Sequence, residues 1–180
     1  TLAEDLRLVA AEAFGADAVL PSIAHVPRYL SVVVTVLAAG LIAVSAFAGE
    51  HMLAAALLLG SLIIAWGWPK AAGLPSPKGT SLVLALSAVL LVGVVVATDS
   101  DSHLEWASAG LAAGLVLMFV QQLFRRDGRP RLTESVMGTS LGLVVVGSTV
   151  AFLPLVHVEH GPGVVAGAMT AVATGTVADL

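Results

Sequence analysis

Six apolar runs, each separated from the next by a short polar or Pro/Gly-rich stretch, set the pattern of this chain. They are Leu30–Ala48, Met52–Trp68, Thr80–Thr98, Leu104–Phe124, Ser135–Leu155 and Gly163–Leu180. A helix needs about 20 residues to cross the hydrocarbon core of a bilayer, with a range of roughly 17–25. The first five runs meet that length. The sixth is rich in small residues, is the weaker of the set, and has the look of a truncated span. Backbone polar groups in lipid must be satisfied within the segment itself, which makes each run a helix. The pattern predicts an all-α fold, a polytopic transmembrane helix bundle over residues 29–180. Gly49-Glu50-His51 leaves so little chain between the first two spans that they must form a tight hairpin.

The first 28 residues break this rhythm. Thr1 and Glu4 have the spacing of a capping box, and Leu2, Leu6, Val9 and Phe14 recur on one helical face. This predicts an amphipathic cytoplasmic arm over residues 1–28, lying on the membrane surface or docking on a partner, and ended by Pro21 and Pro27. Glu4, Asp5, Glu12 and Asp17 interrupt the segment, so it lacks the apolar stretch of a signal peptide.

Charge then orients the bundle. The eight Lys and Arg residues fall in three clusters: Arg7 with Arg28, Lys70 with Lys78, and Arg125, Arg126, Arg129 with Arg131. Two apolar runs separate each cluster from the next, so all the positive charge lands on one face of the membrane. Basic residues of short loops stay cytoplasmic, which predicts a multi-pass protein of the plasma membrane with its N-terminus inside. Tyr29, Trp66, Trp68 and Phe124 fall at the expected inner ends, and Phe47, Trp106 and Phe152 at the outer ones, where aromatic rings favour the interface.

Composition agrees and narrows the function classes. Apolar residues make up 58% of the 180, charged residues 11%, and the mean hydropathy is +0.99. Such a chain lies outside the soluble range. A net charge of −4, divided by side, gives no basic surface for nucleic acid. The absence of cysteine excludes disulfides, thiolate metal sites and thiol catalysis.

Candidate chemistry is sparse. Small residues recur every fourth position at Gly110 and Gly114, Gly138 and Gly142, Gly163 and Gly167, then Ala171 and Gly175. This spacing lets helix backbones approach closely. Eighteen glycines make chance matches frequent, so the prediction of tight packing rests on their concentration in the last three spans. Gly79-Thr80-Ser81-Leu82 recurs as Gly138-Thr139-Ser140-Leu141, a match short enough to read as coincidence in so repetitive a chain. The outer loops carry His51, His103, His157 and His160 beside Glu50, Asp99, Asp101 and Glu159, donors of a type that binds Zn or Cu. Acidic solvated loops are also what a positive-inside chain has on its outer side, and no metal site is assigned. The Lys70–Gly79 loop lacks phosphate-loop spacing and reads as a rigid connector near anionic headgroups.

From the first span to the fifth, no Asp, Glu, Lys, Arg or His falls at mid-bilayer depth. Coupled transporters usually place such groups there. The hydroxyls present, such as Ser45, Ser61, Ser87, Ser148 and Thr149, are within reach of their own helix backbones. No nucleophile–base pair or acid dyad is discernible, so neither an enzyme nor a cofactor is expected.

The strings GWPKAAGLPSPKGTSLVLALS (Gly67–Ser87) and QQLFRRDGRPRLTESV (Gln121–Val136) resemble those of uncharacterised polytopic membrane proteins of high-GC Gram-positive bacteria. In size, span-rich composition and lack of cofactor ligands, the chain is similar to a respiratory supercomplex association factor of those bacteria. The resemblance covers residues 60–180. It implies a non-catalytic accessory subunit in a respiratory supercomplex, with membrane lipids and the integral membrane subunits of cytochrome bcc and oxidase as partners. It carries over no catalytic residue. The membrane cytidylyltransferases that make CDP-diacylglycerol are also polytopic, but their signature of Lys, Asp and His–Gly–Gly is not found here. Two other readings stay open: a lipid-handling enzyme or transporter using the basic loops, and an outer-face metal sensor or chaperone.

Overall fold

The computed structural model describes residues 28–98, 103–125 and 131–178. The arm expected over residues 1–28 lies outside them except for its last residue, as do the outer-loop Asp99 and Asp101. Among the described residues, six helices run in chain order: α1 (Arg28–Ala48), α2 (Glu50–Ala71), α3 (Pro77–Ala97), α4 (His103–Phe124), α5 (Leu132–Val150) and α6 (Gly161–Ala178). A 3-10 helix, Leu153–His157, joins α5 to α6, and no strand occurs among the described residues. All six apolar segments are long enough to cross a membrane, so the all-α polytopic bundle is the observed fold.

Local chemistry sets the ends of these helices. Gly49 alone links α1 to α2, at φ 111° and ψ 172°, a region essentially reserved for glycine. α2 runs past Trp68 and through Pro69, three residues beyond the expected end. Its termination is a full glycine cap: Gly73, at φ 60°, donates its N–H to Lys70 O at 3.2 Å, and Leu74 donates to Pro69 O at 2.9 Å. Buried Leu74 then closes the cap against α5. Pro77 opens α3, where its missing N–H costs nothing. α5 stops at Val150, short of the expected Leu155. Pro154 has no N–H to give the Val150 carbonyl, and the chain tightens into the 3-10 turn.

Helices α2 to α5 form the centre. α3 packs on α2, α4 and α5, while α5 also packs on α2 and α4. α1 and α6 lie together at the side, with α1 bridging to α2. One core, including Leu53, Leu91, Val95, Val146 and Leu153, fills the half of the bundle near Glu50 and His157. A second, built on Val83, Leu84, Met118 and Leu143, fills the opposite half. Outward faces carry Leu37, Val44, Phe47, Ile63, Phe119 and Val144, all exposed. An apolar shell of that extent belongs in lipid, where association rests on close packing and hydrogen bonds between helices.

Candidate functional site at the basic end

The alternating helices bring Lys70, Lys78, Arg125 and Arg131 to one end of the bundle and Glu50, His157, Glu159 and His160 to the other. Beneath the basic end lies a seam of polar contacts between helices. The amide of Gln122, on α4, donates from Nε2 to Ser135 Oγ on α5 at 2.8 Å, and its Oε1 accepts from Arg125 Nη1 at 3.2 Å. Gln121 Nε2 donates to Ser76 Oγ at 3.4 Å, leaving Oε1 buried with no hydrogen-bond partner. Gly79 lies so close that any Cβ there would collide with this amide. Trp68, expected in the interfacial belt, instead turns inward and donates Nε1–H to the Gly138 carbonyl at 2.9 Å. The belt residues Tyr29, Trp66 and Phe124 do face outward.

The repeated Gly-Thr-Ser-Leu strings meet in this seam. Thr80 and Thr139 are fully buried, with their hydroxyls 3.3 Å apart. Thr139 already gives its proton to Ser135 O at 2.7 Å, so Thr80 is the donor between them. The two strings do not share surroundings, since Gly79 faces Gln121 whereas Gly138 faces Leu74. Deeper in the bundle, Ser61 reaches across to Thr149 Oγ1 at 3.0 Å, so not every mid-span hydroxyl is served by its own helix. Ser45, Ser87, Ser148 and Thr149 do bond to their own helix carbonyls. No ionisable side chain is buried among the described residues.

The small-residue positions divide. A methyl group on Gly110 would sit 2.8 Å from Leu91 Cδ2, and one on Gly114 2.8 Å from Ser87 Oγ. On Gly138 it would meet Leu74 Cδ2 at 2.5 Å, and on Gly142 Leu84 Cδ1 at 2.9 Å. Gly163 and Gly167, by contrast, have nothing within 4 Å and face away from the rest of the chain. Gly147, packed against Leu111, and Gly161, whose Cβ would strike the Leu155 carbonyl, are close-packed as well, though neither has another glycine four residues away.

At the acidic end, the His157 Nε2 lies 3.3 Å from Glu50 Oε2, tying the 3-10 turn to the start of α2. His160 and Glu159 are exposed neighbours at 3.7 Å, and His51 is exposed. His103 opens α4, its side chain outside the description. Among the described residues no three His or acidic groups gather as a metal site would require. Back at the basic end, Glu134 pairs with Arg131 one turn into α5 and raises the guanidinium above its ordinary pKa, through the hydrogen bond first and charge second.

Among the described residues, open grooves reach the basic end, two of them well formed. The larger, about 540 Å³, runs between α2 and α3 and is lined by Leu62, Trp66, Lys70, Lys78, Leu82 and Ala85 among others. The smaller, about 370 Å³, runs between α3 and α4 on the other side of Leu82 and ends at Arg125.

Fold and site together define a polytopic α-helical membrane protein whose charged side chains, among the described residues, lie at its two ends, with polar contacts between helices concentrated in a seam near the basic end. Compared with family models, curated proteins and solved structures, the chain matches none.

Proposed function

We propose that this chain is a non-catalytic accessory subunit that packs against a larger complex of the plasma membrane. A respiratory supercomplex of cytochrome bcc and oxidase is the assembly that its size and span-rich composition suggest. The reading rests on α6. This helix buries only Gly161 and Val165 fully, yet carries Gly163, Gly167, Ala171 and Gly175 in line on its outward face. Small residues on a face turned away from the chain's own helices suit the close approach of a foreign helix. The interior fits a structural role as well, because its buried polar residues, such as Thr80, Ser135, Thr139 and Gln122, bond to neighbouring helices or to their own. The larger groove is apolar below its two lysines, which offers no polar track for a headgroup in transit. The positive-inside bias would set the arm and basic loops in the cytoplasm.

Native co-purification in a mild detergent tests the reading. The chain is expected in an assembly well above its own 18.2 kDa, and Gly167→Leu is expected to release it while leaving its melting temperature unchanged. A wild-type chain that runs alone would overturn the proposal.

A further inference from the structure

We infer that the groove between α2 and α3 is a binding site for one anionic phospholipid, with the headgroup phosphate at Lys70 and Lys78 and an acyl chain along Leu62, Leu82 and Ala85. Charge and apolar surface meet here in the order that a lipid presents them. The groove opens laterally between two membrane-length helices, and its lining away from the lysines is almost wholly apolar. Lys70 Nζ sits 3.8 Å from the centroid of the Trp66 ring, which holds the ammonium at the groove mouth. Lys78 enters the same mouth from the first turn of α3. Neither lysine forms an ion pair with a described carboxylate, so two positive charges face the mouth without a counter-ion from the described chain.

The glycine cap at Gly73 fixes the geometry. By turning the chain sharply after α2 and burying Leu74, it holds the end of α2 beside the start of α3 and sets the two lysines on either side of one groove. Trp66 is 68% exposed and Leu82 60% exposed, so both offer their surfaces to the occupant. The groove across Leu82 differs, because its cation, Arg125, is engaged by Gln122. This inference does not depend on the accessory-subunit reading, since the site lies on α2 and α3 and a lipid would fill it with or without a partner on α6.

Trp66 makes the site observable. The full chain would be reconstituted in phosphatidylcholine vesicles containing either brominated phosphatidylglycerol or the same fraction of brominated phosphatidylcholine. Tryptophan quenching is expected to show a preference for the anionic lipid on the order of thirtyfold, the scale of two basic residues near an anionic headgroup. Trp66→Phe should remove that preferential component, leaving the signal of Trp68 and Trp106. The Lys70→Gln/Lys78→Gln double variant should abolish the preference, Lys70→Arg/Lys78→Arg should keep it, and Arg131→Gln, outside the groove, should leave it intact. Unchanged far-ultraviolet circular dichroism would confirm that each variant is folded. Equal quenching by the two lipids, or a preference that survives the double Gln variant or falls equally with Arg131→Gln, would overturn the site.

Discussion

Glycines in this chain take two opposite parts, set by what lies opposite each hydrogen that replaces a side chain. At Gly161 the neighbour is the Leu155 carbonyl, a backbone atom that no rotamer change can move. Gly161→Ala is therefore expected to cost ~3 kcal/mol or more, the upper end of overpacking. At Gly167 a methyl group meets nothing, and Gly167→Ala should be neutral or stabilising by up to about 1 kcal/mol through helix propensity. Unfolding midpoints in detergent, compared with wild type, measure both; a destabilised Gly167→Ala chain would mean that α6 packs more tightly than its exposure shows. Four-residue spacing marked Gly110, Gly114, Gly138, Gly142, Gly163 and Gly167 alike. It is silent on direction, because a helix face is apolar in lipid whether or not another helix covers it. Gly161 carried no signal in the sequence, since the constraint comes from a 3-10 turn that only Pro154 foreshadows.

At the scale of elements, all six spans were legible because a membrane span depends on length and hydropathy more than on partners. Their ends were less so. α2 overran Pro69 because the cap at Gly73 satisfies the carbonyls of Pro69 and Lys70, and α5 fell short because Pro154 withholds a donor. The contact between Thr80 and Thr139 was also hidden. Four matching letters carry no distance, and only the packing of parallel α3 on α5 brings the hydroxyls together. Single hydrogen bonds between membrane helices average about 0.6 kcal/mol and reach ~1.7 kcal/mol. A double-mutant cycle of Thr80→Val and Thr139→Val should give a coupling energy in that range, both variants keeping side-chain volume. Strictly additive losses would show that the bond adds nothing to the α3–α5 contact. The sequence does signal Gln121 and Gln122, adjacent amides one turn before Arg125 at the end of an apolar run.

For the molecule as a whole, charge distribution makes the sharpest claim, because it assigns every loop to a side. The basic end holds Lys70, Lys78, Arg125 and Arg131, and no Lys or Arg occurs between Tyr29 and Pro69, between Gly79 and Phe124, or after Arg131. An inverted bundle would have to translocate several basic loops, which the insertion machinery disfavours. The chain has no cysteine, so one introduced thiol is a unique reporter. His51 and Ala72 suit this purpose: both are exposed, one at the start of α2 and one just past its end, and neither is in the polar seam. In intact cells, His51→Cys should react with a membrane-impermeant maleimide and Ala72→Cys should not, until the membrane is permeabilised. The reverse labelling would place the lysine groove on the outer leaflet and the Glu50–His157 contact inside. It would also move the lipid site, whose headgroup contacts follow Lys70 and Lys78 to whichever leaflet they occupy. Labelling of both positions would mean that the chain inserts in two orientations, an outcome at odds with Lys70, Lys78, Arg125 and Arg131 all lying at one end of the bundle.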